Sequence, residues 1–185
     1  MTLNRAYTPK VQITMPDPDF YLREEPVCAL DPLLLIPRIE YAQSIFSCIR
    51  GSSVSYSLII LDMINFHRIN DVFGYDVGDS VLLQFISLVR SVLPLGSIAM
   101  RFRHGDEFLF FLPISEVHAQ LLFDEIRVRS HQVDYPQLAR EKHFNISFRY
   151  AVVALDDARK GHREWLRDAE ARLRAVKGQG TPRQS

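Results

Sequence analysis

A chain of 185 residues is long enough for one domain with an extension and too short for two full domains. Apolar residues make up 47% and charged residues 24%, the mix of a globular protein with a packed core. Lys+Arg and Asp+Glu both number 22, so no basic excess supports general binding to nucleic acid, and any phosphate site must be local.

Residues 1–30 carry Pro9, Pro16, Pro18 and Pro26 with little periodicity, which predicts an extended arm. Met1–Lys10 lacks the charged-then-apolar order of a signal peptide, and no apolar run nears the ~20 residues that span a bilayer. The expected location is the cytoplasm, where Cys28 and Cys48, without neighbouring His or Cys, read as unreactive thiols. From Pro37 the steps Ile39, Ala42, Ile45, Phe46 and Ile49 predict a helix that Gly51 ends. Val54–Leu61, β-branched and apolar, predicts a buried central strand closed by Asp62.

A short helix is expected near Asn65–Asp71, followed by a glycine-punctuated loop, GYDVGD. Asp79 or Ser80 then caps a helix whose buried stripe is Val81, Leu82, Phe85, Ile86, Val89 and Leu93. Ser97–Phe102 and Glu107–Leu112 predict a hairpin whose polar turn holds His104, Gly105 and Asp106. Helical spacing returns at Val117, Leu121, Leu122, Ile126 and Val128, a strand follows at Phe144–Leu155, and a last helix runs from His162 to Lys177 with Gly178 as its stop. On that helix Trp165, Leu166, Ala169, Leu173 and Val176 share one face. Strand, helices, hairpin, helix, strand, helix is the ferredoxin-like order, an antiparallel sheet with helices packed on one face.

Two acidic positions stand out. Asp62 closes an apolar strand and Asp106–Glu107 occupy a hairpin turn. Each alone has a plain structural explanation, as a helix cap or a solvent-facing turn. If their strands are central neighbours, however, the carboxylates converge at one sheet edge as hard oxygen donors suited to Mg²⁺.

The segment 98–112, IAMRFRHGDEFLFFL, resembles the signature hairpin of the GGDEF family, with His104 where the first glycine belongs. Upstream, LDMINFHRINDVFGYDVGD is similar to the family's D-x-D-x-F-K-x-I-N-D-x-x-G-H-x-x-G-D through Asp62, Phe66, Ile69, Asn70, Asp71, Gly74, Gly78 and Asp79. Ala169, Leu173 and Lys177 match A-D-x-A-L-Y-x-A-K, and Asp31-Pro32-Leu33 with Pro37 echoes the opening D-x-L-T-G-L-x-N-R. The resemblance implies an arm at 1–30, a GGDEF domain at 31–181 and a tail at 182–185. It also implies a nucleotidyl-cyclase-like α/β (α+β) fold, a palm-like, ferredoxin-like, antiparallel-rich central sheet flanked by helices.

The implied reaction condenses two GTP into cyclic di-GMP with Mg²⁺, or Mn²⁺ in its place, in an antiparallel homodimer. Either Met1–Leu30 or a separate protein partner would supply the signal. By position, Asp62, Asp106 and the Met63 carbonyl would hold metal. Glu107 would serve the metal or the 3′-hydroxyl, and Lys177 the β- and γ-phosphates. Asn70 and Asp79 would read guanine, with Phe66, His67 and Gly105 also at the substrate.

Several family positions differ here. Ile64 replaces the second Asp of D-x-D, His67 the Lys of F-K, Arg149 a strand glycine of S-x-G, and Thr181 the Arg of G-R, with Arg183 displaced beyond it. Leu34, Leu35, Ile36, Pro37, Arg38 and Ile39 depart from the opening motif, and Leu95 and Ile98 stand where the product-inhibition site has R-x-x-D. His104 either tolerates ordinary φ or crowds the α-phosphate. Three readings follow: a dimer-dependent diguanylate cyclase, a module that binds GTP without converting it, and a protein-interaction scaffold with a relic site.

Overall fold

The computed structural model describes residues 30–50, 52–103, 105–138, 146–157 and 159–179. The predicted arm at 1–30 apart from Leu30, together with Gly51, His104, Phe144, Thr181, Arg183 and the tail, lies outside them. Four strands form one antiparallel sheet: β1 (Ser57–Met63), β2 (Ile98–Arg101), β3 (Glu107–Leu112) and β4 (Phe148–Ala154), in spatial order β2-β3-β1-β4. Five α-helices flank it: α1 (Ala42–Arg50), α2 (Phe66–Phe73), α3 (Tyr75–Val92), α4 (Glu116–Ser130) and α5 (His162–Gln179). The ferredoxin-like sheet expected from the sequence is present.

Helices cover both faces, not one. Because strand side chains alternate, β1 sends Ile59, Leu61 and Met63 toward α2, α3 and α4, and Leu58 and Ile60 toward α1 and α5. That two-sided cover is why β1 reads as a continuous apolar run. Aromatic rings fill the first layer, with Phe110 and Phe123 centroids 5.3 Å apart and Phe85 and Phe148 5.5 Å apart. In the second, Phe46 meets Phe111 edge-on at 5.1 Å.

Three local expectations are corrected. GYDVGD is not a loop: α3 begins at Tyr75, so neither Asp79 nor Ser80 caps it. Gly74 stands at the N-cap with φ +87°, which reverses the chain within one residue and lets α3 start at once. On α4 the buried stripe is Ala119, Phe123, Ile126 and Ser130, while Val117, Leu121 and Val128 are exposed. Apolar residues lie on both sides of that helix, so their spacing alone does not fix which side is buried. Gly178 lies inside α5 rather than stopping it, and Val176 is exposed.

The segment entering the domain is built around Asp31, buried at 3% exposure. Its Oδ1 accepts the Leu33 and Leu34 amides at 3.1 and 2.8 Å, and its Oδ2 accepts Arg101 Nη1 at 2.6 Å. Leu35 closes this turn with φ +52°, a left-handed conformation strained for leucine.

Candidate functional site

The register brings the first group of predicted residues together. In the sheet, Asp62 lies opposite Glu107 on β3 and opposite Arg149 on β4. Directly opposed residues share a face, so Glu107, Asp62 and Arg149 form a charged row on the α5 side, where the apolar stripe of Leu58, Ile60 and Ala151 ends. Lys177, near the C-terminal end of α5, reaches down to this row. Its Nζ is 2.8 Å from Asp62 Oδ1 and 3.8 Å from Glu107 Oε1. Two carboxylates opposed on neighbouring strands repel, and the ammonium offsets that repulsion. Asp62 and Glu107 side chains are 16% and 17% exposed, so the pair is sheltered yet reachable.

The hairpin turn is tied to the end of β1, where Met63 N donates to the Asp106 carbonyl at 3.1 Å. Phe102 N donates to the Glu107 carbonyl at 2.9 Å, and Gly105 turns the chain with φ +21°. Arg101 ties the turn to the entering segment: besides Asp31, it donates through Nη2 to the Gly105 carbonyl at 2.6 Å. The sequence reading missed Arg101 altogether and left Asp31 as a faint echo of a motif. An arginine on an otherwise apolar strand, four residues before a turn glycine, was the available signal.

The second group lies on the other layer, just past the end of β1. Asn70 of α2 faces Gly78 of α3 so closely that a Cβ on Gly78 would come within 1.9 Å of Asn70 Oδ1 and 3.4 Å of Phe66 Cζ. Phe66 is buried, Asn70 partly exposed, and His67 and Asp79 exposed. The glycine that punctuates the sequence is therefore a packing requirement inside a helix. The two groups are distinct clusters, joined by the short chain from Met63 to Phe66.

A divalent cation fits the first group by donor chemistry. The Asp62 and Asp106 carboxylates and the Met63 carbonyl are hard oxygens, and Asp62 already draws an ammonium. No three His, Cys, Asp or Glu side chains gather as a metal cage among the described residues. Mg²⁺ binds characteristically through one or two carboxylates completed by phosphates. A hollow of about 350 Å³ lined by Phe46, Arg50, Asp157 and Trp165 lies at the opposite end of β1 and does not include these residues. Among the described residues no helix is long and apolar enough to cross a membrane.

Comparison with known proteins bears on the family and the fold. The chain is 34% identical over 88 residues to diguanylate cyclase DgcS of Shewanella oneidensis, covering 46% of this chain and 29% of that protein. It is 34% identical over 79 residues to cyclic di-GMP phosphodiesterase NbdA of Pseudomonas aeruginosa, covering 42% of this chain and 10% of that one. The chain thus spans under a third of the length of either relative. Among solved structures, the GGDEF domain of DgcB from Caulobacter crescentus in complex with c-di-GMP superposes with a TM-score of 0.70 at 19% identity, over 85% of this chain and 95% of that one, which speaks for the fold alone. A family model described as the GGDEF domain of diguanylate cyclases matches residues 40–183, and by that match the chain belongs to the GGDEF family.

Proposed function

We propose that residues 31–181 form a cytoplasmic diguanylate cyclase domain that holds one GTP and condenses it with the GTP of a second copy into cyclic di-GMP. The observation that carries this reading is the row of Asp62 and Glu107 under Lys177, at the tip where the Gly105–Glu107 turn meets β1. Asn70 and Asp79 would read the guanine edge, a donor–acceptor pattern that adenine does not present. Phe66 and Gly78 lie against Asn70, and the exposed His67 would meet the nucleotide from the solvent side. Gly105, without a Cβ, lets the nucleotide come close to the turn.

Asp62, Asp106 and the Met63 carbonyl would hold Mg²⁺, or Mn²⁺ in its place, which when bound supplies positive charge to the phosphates. Lys177 would move from Asp62 to the β- and γ-phosphates as a point charge. Glu107 would take the proton of the 3′-hydroxyl. In each half-reaction the 3′-oxygen of one GTP forms a bond to the α-phosphorus of the other, the bond from that phosphorus to the bridging oxygen breaks, and pyrophosphate leaves. One domain carries one nucleotide, so the reaction needs two copies face to face, and a separate protein partner would control their pairing. Such catalysis is mostly positioning and charge stabilisation.

A second reading is a GGDEF module that binds GTP and signals through protein contacts without turnover. Ile64 and His67 favour it, since they stand where the family carries a carboxylate and a lysine. One experiment separates the two: purified chain at low and high concentration, incubated with GTP and Mg²⁺ or Mn²⁺, with the nucleotides resolved by chromatography. Cyclic di-GMP formed at a rate rising steeply with protein concentration, and lost in Asp106→Ala, is the result expected of the cyclase. Bound but unchanged GTP at every concentration would leave the binding module.

A further inference from the structure

We infer that Arg149 is a phosphate-binding residue which, with Lys177, grips the polyphosphate of the nucleotide held at the Asp62–Glu107 row. The inference rests on the nucleotide reading above and adds a residue to it. Arg149 sits on edge strand β4, directly across from Asp62, on the same face as Glu107 and Lys177. Inward of it on that face, Ala151 and Val153 pack beneath Trp165, Ala169 and Leu173 of α5. The guanidinium therefore stands where the apolar contact of α5 with the sheet ends and the charged row begins.

An arginine opposite an aspartate on a neighbouring strand ordinarily pairs with it. Here Asp62 Oδ1 takes Lys177 instead, and Arg149 has no ion pair with any described carboxylate. A half-buried guanidinium with five donors and no such partner is open to an anion. The planar fork of arginine matches two phosphate oxygens at once, whereas the lysine ammonium acts as a compact charge. Across the sheet the carboxylates Glu107 and Asp62 come first and Arg149 last, with Lys177 over the two carboxylates. That polarity suits a ligand bringing phosphates to the cations and a divalent ion to the carboxylates.

The test is calorimetric titration of the full chain with Mg²⁺ and four probes: a GTP analogue with a non-hydrolysable α,β linkage, tripolyphosphate, guanosine and the matching ATP analogue. Arg149→Ala should weaken the first two by about 10- to 100-fold, the span of a charged hydrogen-bond pair. Guanosine binding should change less than about twofold, and Arg149→Lys should fall between, since it keeps the charge and loses the fork. Unaltered affinity for the GTP analogue in Arg149→Ala, with a lowered melting temperature, would make Arg149 a counter-charge of the sheet and overturn the inference while sparing the nucleotide reading. Tripolyphosphate binding that depends on Arg149, with no preference for the GTP analogue over an ATP analogue, would sustain Arg149 and sink the guanine reading. No binding of any probe by the wild-type chain would overturn both.

Discussion

Replacing Gly78 with alanine should uncouple nucleotide affinity from stability. Gly78 lies in the second turn of α3 with no left-handed φ, so alanine removes a helix-interior glycine and gains about 1 kcal/mol of propensity. Against that, the new Cβ would stand 1.9 Å from Asn70 Oδ1 and 3.1 Å from its Cγ. The amide is the free end of a side chain and can swing away, at a rotamer cost of about 0.5–1.5 kcal/mol. The terms nearly cancel, so the melting temperature should stay within about 4 °C of the parent. The displaced amide, however, can no longer meet guanine. Losing one or two hydrogen bonds of about 1 kcal/mol each lowers affinity for a GTP analogue by roughly 10-fold.

Differential scanning fluorimetry and calorimetric titration on the same preparations measure both quantities. In an Asn70→Ala background the clash is absent, so Gly78→Ala should raise stability by about 1 kcal/mol and leave the already weakened affinity alone. Undiminished GTP affinity in folded Gly78→Ala would refute the placement of Asn70 at the base. A collapse in melting temperature beyond about 10 °C would show instead that Gly78 serves packing alone.

Asp31→Ala removes a buried carboxylate that accepts two amides and the Arg101 guanidinium, and should cost about 3 kcal/mol in urea denaturation. Asp31→Asn, which keeps an amide acceptor and loses the charge, should cost less, and equal losses would assign the whole effect to the charge and none to the acceptor. Leu35→Gly should raise the melting temperature by about 1–3 °C, because relief of the φ +52° strain exceeds the added chain entropy at a side chain 73% exposed. A fall would mean that Leu35 packs against something beyond the described residues. Burial pushes the Tyr135 hydroxyl up to about 12, and burial together with Asp124 raises that of Tyr150 further. Folded pKa values above the unfolded value of about 10 stabilise fully below pH ~10, and that contribution is lost as pH rises toward the folded values. Denaturation midpoints should therefore drop between pH 10 and pH 12, less steeply in Tyr135→Phe. At pH 7 that variant should cost nothing, since the Tyr135 hydroxyl is buried with no hydrogen-bond partner among the described residues. An unchanged slope would exclude Tyr135 as a source.

Periodicity and composition by themselves determined the elements that carry long apolar patterns. The run through Leu61 reads as a buried central strand and the stripe from Val81 to Val89 as a helix, although cover on both faces of the sheet was not legible in them. The motif residues Asp62, Asn70, Gly78, Asp106, Glu107 and Lys177 were legible as a set because their types and spacing are specific. Their chemistry was not, since periodicity says which face a residue takes within one element and nothing about what lies across from it.

Only the pairing of β1 with both β3 and β4 put Asp62 between Glu107 and Arg149, and only the packing of α5 brought Lys177 to 2.8 Å from Asp62. Glycine misled the local reading twice. Gly78 and Gly178 signal a break in a sequence, yet both lie within helices, and at Gly78 tertiary contact with Asn70 is the reason. The converse holds at Leu35, a branched residue in a glycine's conformation, held there by hydrogen bonds between Asp31 and Leu35 and between Asp31 and Ile36. Local propensities of about 1 kcal/mol decide an element only where tertiary contacts, each worth as much or more, do not oppose them.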